Sequence, residues 1–586
     1  MPALGRRELL LLALLLGLPG LVEQLHFPAP RLDSDAVEYF SHVRSLYFDH
    51  DLDFTNEFEH FGILGRGDKV QPTATGHRRT IFSVGPALLW LPFYAVGDGL
   101  ARLRGTVEDG YSSLHIRAVC LASLFYGVLG LLLVYGVLRD LVGRFVAAVS
   151  VVLLLYATFL YWYLAVEPAM SHAVSFFASA LVLAVFWPRR AELGWGGAAL
   201  LGWLVGLAAC VRWQNAVLLL LPAATLLSQL RRRPALTLVK GSLTLAAFGL
   251  GVLPQLLAWK AIFGQYLLLD PPHGRDFLRL DHPFLLQTFF SSRHGLFYWT
   301  PLLWAGYLGY ASLLWRRPRA ALALLLPLLT MSYVNACSGD WWAGGSFSNR
   351  RFDSLLPLLA LGLARSLAVL DAAVRRWPQG ILVPALLAVV GANLLFMEQY
   401  RRNWIPRDDT LAFSSVAHNS AQLVASSLGS PLAWPANWLF AAEHGLPASR
   451  YDEMVGPYLF YRQNNLDGLI DLGEPRGDRL LGEGWGPRRA CEGASCRRVL
   501  GHARAFAPLD VPEALDVSLR AQGTGSLTLA VNGWAVGRFA LSPQLAQLRI
   551  RVPAQYWRCE LNELAFEADA VADLDSIRFV RPGRPR

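Results

Sequence analysis

Apolar runs long enough to cross a bilayer recur through the first 400 or so residues of this chain. Such runs leave few folds open, because backbone N–H and C=O groups surrounded by lipid must be satisfied within their own helix. A spanning helix needs roughly 20 mostly apolar residues, and by that measure we read about eleven. They lie near 8–24, 114–138, 145–163, 170–187, 196–211, 214–230, 240–259, 293–315, 319–335, 353–370 and 379–398. Several are short and need neighbours to bury their ends. The first follows Arg6 and Arg7, as a signal peptide would, but no small-x-small cleavage site comes after it, and we read it as an uncleaved helix. Charged residues make up 17% of the chain, against about 25% in soluble domains. The net charge of +9 comes from Arg pairs between apolar runs, not from a basic stripe with interleaved aromatics. Nucleic acid is therefore not an expected partner.

Orientation follows from where Lys and Arg collect, since cytoplasmic loops are enriched in them. The run 82–101, "FSVGPALLWLPFYAVGDGLA", is apolar enough to span. Read as an interfacial helix instead, it leaves Arg6/Arg7, Arg139/Arg144, Arg189/Arg190, Arg231–Arg233 with Lys240, Arg316/Arg317/Arg319 and Arg375/Arg376 all on one side. Read as a span, it scatters them. Pro86, Pro92 and Gly97 also suit a non-spanning segment. The expected topology has the N-terminus inside, a large first outer loop over 25–113, another over 260–292, and an outer C-terminal region.

After Tyr400 the long apolar runs stop. Residues 401–474 are mixed and Trp/Pro-rich, and we expect them to connect the membrane domain (1–400) to a C-terminal domain and to rest on the membrane domain. From about 475 to 586, alternating segments such as "SLTLAVNGWAVGRFAL" and "QLRIRVPA", with a turn at Asn532-Gly533, predict antiparallel strands and a jelly-roll-like β-sandwich. It either binds carbohydrate through exposed aromatics such as Trp534 or is a structural cap. Cys491 and Cys496 either close a small disulfide, if outside the cytoplasm, or remain thiols. No zinc-type Cys/His spacing occurs.

The outer loops carry ionisable residues that topology does not explain. The stretch "LDSDAVEYFSHVRSLYFDHDLDFTNEF" (32–58) is rich in carboxylates. Glu167 and His172 lie in "VEPAMSHA", Arg212 in "VRWQN", Arg293 and His294 in "SSRHG", and Arg350 and Arg351 in "WWAGGSFSNRRF". Ionisable groups in or beside spans are costly and mark functional sites by default. The alternatives are that Arg212 and Arg293 snorkel to headgroups, that His172 is a packing residue, and that Arg350 and Arg351 pair with first-loop carboxylates. Trp341 and Trp342 fit an interfacial belt. Taken together, a carboxylate suits a general base toward a hydroxyl, and forked guanidinium groups suit a departing phosphate. The "DHDLDFTNEF" group reads as a solvated or structural turn, the alternative being that it binds the acceptor or holds Arg350 and Arg351.

These segments, in their order, resemble the polytopic GT-C glycosyltransferases, similar to protein O-mannosyltransferases and the lipid A aminoarabinose transferase. "SDAVEYF" resembles the acidic motif after the family's first span, placing the catalytic aspartate on Asp35 and its tyrosine on Tyr39. Ala36 holds the motif's second acidic position, and Asp33 stands just upstream as a further substrate-binding candidate. "SVGPALLWLPF" resembles the family's Pro-rich apolar helix, "YSSLHIRAVCLAS" its second-span opening with Arg117 at the matching arginine, "VEPAMSHA" its second acidic site at Glu167, and "VRWQN" its basic site at Arg212. The likeness covers residues 8–370.

The resemblance implies a glycosyltransferase that moves a sugar from a polyprenyl-phosphate-linked donor to a glycan, lipid or protein acceptor. It implies no cofactor and commonly no metal. The expected location is a bacterial inner membrane, with the site on the outer side of the cell envelope. The catalytic candidate is Asp35; the substrate-binding candidates are Asp33, Tyr39, Glu167, His172, Arg212, Arg293, His294, Arg350 and Arg351. Rival readings are a transporter or flippase of a lipid-linked sugar, for which polar residues deep in the spans are scarce, and a lipid-linked oligosaccharide ligase. A membrane scaffold displaying the β domain would leave the ordered loop residues unexplained.

Overall fold

The computed structural model describes residues 5–27, 29, 32, 34–65, 72–106, 109–268, 277–374, 382–455, 468–509 and 512–581. The chain divides into two compact units, Met1–Val416 and Ala417–Arg586.

The first unit is helical. Among the described residues, eight segments are long and apolar enough to cross a membrane: Arg6–His26, Ser113–Val142, His172–Arg189, Trp213–Leu230, Pro234–Phe263, Pro318–Ala336, Arg350–Ala373 and Val383–Arg401. Each coincides with one of the expected runs. The other three runs form shorter or broken helices. The run 145–163 is helical as Arg144–Tyr156 and ends where the Thr158 hydroxyl caps back onto the Leu154 carbonyl at 2.5 Å. The run 196–211 forms Trp195–Val211. The run 293–315 breaks into Leu296–Trp299 and Leu303–Arg316, with Pro301 between them unable to donate a helical hydrogen bond. The segment expected to lie at the interface is one helix, Gly85–Leu103, with Pro86 in its first turn and Pro92 inside. It buries Trp90 and Tyr94 completely against the rest of the unit.

Small residues let neighbouring helices approach closely. A Cβ on Gly202 would fall 2.1 Å from the Thr244 carbonyl oxygen, and one on Gly251 would fall 2.3 Å from that of Trp203. Trp195–Val211 is thereby held against Pro234–Phe263 along its length. This fixes the position of Arg212, where the helix ends in extended backbone.

Among its described residues the second unit holds two antiparallel sheets. Its strands are β1 (Leu469–Asp471), β2 (Trp485–Cys491), β3 (Ala494–Val499), β4 (His502–Leu509), β5 (Leu515–Gly523), β6 (Ser526–Val531), β7 (Trp534–Ala540), β8 (Ala546–Val552), β9 (Glu560–Ala568) and β10 (Ala572–Val580). One sheet runs β2-β3-β10-β5-β8 with β1 also on β10; the other runs β4-β9-β6-β7. Alternate residues such as Leu527, Leu529 and Val531 are buried in the shared core. The predicted Asn532-Gly533 hairpin is present, both residues at positive φ as a two-residue type I′ turn requires. Cys491 and Cys496 are joined in a disulfide across the β2–β3 turn. Helices Ala436–His444 and Ala448–Val455, which the sequence groups with the connecting region, contribute Phe440, Tyr451, Met454 and Val455 to the same core.

Candidate active site

Asp35 lies in the first turn of the helix Ser34–Arg44, where the unpaired N–H groups of the helix start favour a carboxylate. Its Oδ2 is 2.8 Å from Arg350 Nη2, both side chains being mostly buried. Burial pushes the Asp35 pKa up, but the Arg350 charge and the Ser34 hydroxyl pull it down, and the balance lies below the ordinary carboxylate value. Asp35 is therefore ionised at neutral pH. Arg350 also donates through Nε to the Ala343 carbonyl at 3.2 Å, while Nη1 meets the Met170 sulfur at 3.8 Å. Thioether sulfur is a weak acceptor, so that nitrogen has the capacity to take an anionic oxygen.

The loop that carries Arg350 is pinned by its own small polar residues. Ala343, Gly344 and Ser348 adopt positive φ. The Asn349 amide donates to the Trp341 carbonyl at 2.9 Å, and the Ser348 and Thr300 hydroxyls meet at 2.9 Å. Non-glycine residues at positive φ store strain of order 1–3 kcal/mol each, tolerated where the surroundings hold them.

A second cluster lies beside the first. His172 Nδ1 is 2.8 Å from Asp353 Oδ2 and 2.9 Å from Arg212 Nη1, and Arg212 Nη1 is 3.4 Å from Asp353. One ring nitrogen cannot donate to a carboxylate and accept from a guanidinium in the same state. The Arg212–Asp353 attraction holds in either tautomer. Arg212 also donates to the Ser171 hydroxyl at 3.3 Å, and Ser171 donates to the Tyr39 hydroxyl at 2.8 Å. Tyr39 sits one helical turn after Asp35, so this chain of contacts ties the two clusters together. Burial raises the Tyr39 pKa to about 12, keeping the phenol neutral.

The structure brings Asp35, Tyr39, His172, Arg212 and Arg350 into this network. The other described candidates make their direct contacts with different partners, although Glu167 and Arg351 lie near enough to Arg350 to interact with it electrostatically. Arg351 donates to the carbonyl and the carboxylate of Asp340. Arg293 pairs with Asp408 at 2.9 Å and lies over the Trp342 ring, 3.9 Å from its centroid. His294 bonds the Arg407 carbonyl at 2.9 Å and stacks on Trp299. Glu167 is 3.9 Å from Arg407. Arg117 donates to the carbonyls of Gln24 and Phe27 at the end of the first helix. Asp33 lies outside the described residues.

The carboxylates of "DHDLDFTNEF" hold neither Arg350 nor Arg351. Arg44, from the same helix as Asp35, pairs with Asp49 and, at 3.0 Å, with Glu57. Asp51 accepts from the Ser45 hydroxyl at 2.7 Å, and Asp53 from the Thr55 hydroxyl at 2.8 Å. Burial pushes Glu57 up to about 7 despite Arg44. This group closes the turn after the Asp35 helix.

Sequence reasoning missed Asp353 and Ser171. Asp353 carried a signal, a carboxylate at the first position of an apolar run. Ser171 carried none, being one hydroxyl between two flagged neighbours. Among the described residues no group of three or more His, Cys, Asp or Glu side chains is arranged to hold a metal ion.

No protein-family model matches the chain, and neither does any curated protein. It is similar to several solved membrane-protein structures. ArnT from Cupriavidus metallidurans bound to undecaprenyl phosphate matches at 15% identity and a TM-score of 0.39, over 74% of this chain and 79% of that one. The archaeal oligosaccharyltransferase AglB from Archaeoglobus fulgidus, in complex with an inhibitory peptide and a dolichol-phosphate, matches at 14% identity and 0.39, over 76% and 59%. The arabinosyltransferase EmbB from Mycobacterium smegmatis matches at 11% and 0.39, over 99% and 65%. At these scores the likeness assigns no chemistry to the chain.

Proposed function

We propose that this chain is a polytopic membrane glycosyltransferase of the GT-C type, acting on a polyprenyl-phosphate-linked sugar at the outer face of the membrane. The observation that carries the reading is the Asp35–Arg350 pair, a carboxylate and a guanidinium at 2.8 Å, one after the first apolar helix and one at the start of a later one. In the proposed reaction the acceptor hydroxyl oxygen attacks the anomeric carbon. The bond from that carbon to the phosphate oxygen breaks, and polyprenyl phosphate departs with the electron pair. Asp35 takes the hydroxyl proton. Arg350 turns its forked donors to the phosphate as negative charge develops there, with Arg212 behind it. Tyr39 and Ser171 hold the two basic groups in register, and His172 and Asp353 orient Arg212.

The test is direct. Purified protein in lipid nanodiscs is incubated with a panel of radiolabelled polyprenyl-phosphate sugars and crude envelope acceptors. The expected result is release of polyprenyl phosphate with label in an acceptor. Passage of the intact sugar lipid across a proteoliposome bilayer without cleavage would establish the flippase reading instead.

A further inference from the structure

The apolar helix Val383–Arg401 is followed, after a short charged link, by a stretch of unusual composition. From Thr410 to Ala442 there is no Asp, Glu, Lys or Arg, in a chain that is 17% charged. The helix Phe413–Leu428 opens beside the apolar helix: Gln399 Nε2 donates to the Val416 carbonyl at 3.1 Å. Its 16 residues are about 24 Å long, so the side chains at its far end stay on a short tether from a segment that crosses the bilayer.

At that far end large apolar groups face outward. Leu428, Leu432, Trp438 and Leu439 are exposed, Leu432 by 61% and Leu439 by 66%. The Trp434 and Trp438 rings lie 4.4 Å apart. Both indole N–H groups donate to the Leu428 carbonyl, at 3.1 and 2.7 Å, so neither ring has a polar atom left to keep in water. The loop between them is pinned from beneath. Asn437, fully buried, donates to the Ser430 carbonyl at 3.1 Å and to Asp452 at 3.3 Å, and Asp452 accepts from the Ser430 N–H at 2.6 Å. Gly429 has a φ of +69°, and a Cβ there would fall 2.4 Å from the Asn437 amide nitrogen. The patch is thus a preformed surface.

Exposed apolar clusters mark membrane or protein contacts. Here the bilayer is favoured on two grounds. The run offers no charge with which to orient and select a protein partner, whereas Trp and Leu settle without one at the level of the headgroups. The tether also keeps the patch near lipid. We propose that Leu428, Leu432, Trp434, Trp438 and Leu439 insert into the headgroup–acyl boundary, so that the second unit is held on the bilayer by its own side chains. The inference does not rest on the glycosyltransferase reading.

The experiment is spin-label depth measurement on the full chain in phosphatidylcholine nanodiscs. Labels are placed at Leu432→Cys and Leu439→Cys, each in a Cys559→Ala background, with Arg549→Cys on the exposed face of β8 as the aqueous reference. Oxygen concentrates in lipid and a nickel chelate stays in water, so the ratio of their collision rates reports depth. Both patch labels should favour oxygen, at a depth of roughly 5–10 Å into the boundary, and the reference label should favour nickel. Adding phosphatidylglycerol should leave the depths unchanged, because the patch carries no charge. Leu428→Cys replaces either label whose protein does not elute and melt as wild type. A ratio no higher than the reference at either site overturns the proposal. So does exclusion of both reagents, the signature of a protein cover such as a second copy.

Discussion

Asp35 and Arg350 form an ion pair in which each side chain limits the other. The guanidinium keeps the carboxylate charged yet weakens it as a base, and the carboxylate occupies a donor that the departing phosphate takes in the proposed reaction. A ligand phosphate that draws Arg350 away restores the basicity of Asp35.

Asp35→Asn preserves size and polarity but removes the proton acceptor. Single-turnover transfer should fall by about 10²-fold or more, the scale of general base catalysis. Polyprenyl-phosphate affinity, measured by native mass spectrometry, should hold or rise, since Arg350 is freed. Wild-type turnover in the variant removes Asp35 from the reaction.

Arg350→Ala should weaken polyprenyl-phosphate binding by about 1.5–3 kcal/mol, the range for hydrogen bonds to charged groups. Arg350→Lys should recover little of it, because an ammonium cannot reproduce the fork. Arg351→Ala, whose guanidinium is spent on Asp340, should bind the lipid as wild type does. Equal losses in the two alanine variants would place both groups on the phosphate.

Removing one partner of a buried ion pair typically costs about 3–5 kcal/mol. Asp353→Ala strands Arg212 and should lower the melting temperature clearly, and the Arg212→Ala/Asp353→Ala double variant should be less destabilised than the sum of the two singles. Additive effects in a thermal-melt cycle would show that the pair is not coupled.

Two carboxylates respond to pH in opposite senses. Asp35 has a depressed folded pKa, so its contribution is complete above its ordinary value near 3.8 and is lost as pH falls through the lower folded value. Glu57 is raised from 4.5 to about 7. Between those values the folded state holds the extra proton, so stability from this group falls as pH rises across that window. Glu57→Gln should flatten melting temperature against pH from 4.5 to 7. An unchanged slope would assign it to other groups.

Topology is open to a chemical test in a Cys559→Ala background, since Cys559 is exposed whereas Cys120, Cys210 and Cys337 are buried. In intact cells an impermeant maleimide should label Arg104→Cys and not Asp140→Cys. The reverse pattern would turn the whole helical unit over and place the Asp35 site inside.

The spans were legible in sequence because lipid exposure imposes a composition on every residue of a helix, and the β strands because a half-buried strand must alternate. Arg212 and Arg350 stood out for a related reason: an ionisable group beside an apolar run is conspicuous against leucine and alanine, whereas Asp35 and Tyr39 were picked out by the resemblance of "SDAVEYF" to a known acidic motif. Which arginine meets which carboxylate was not written locally. Arg350 and Arg351 are adjacent, yet one reaches Asp35 and the other Asp340, because the tight loop before them sends neighbouring side chains in different directions. Breaks within apolar runs, as at Thr158 and Pro301, depended on caps and contacts that hydropathy does not register. Only tertiary structure could bring Ser171 between Tyr39 and Arg212, because that depends on helices distant in sequence meeting at a few ångströms.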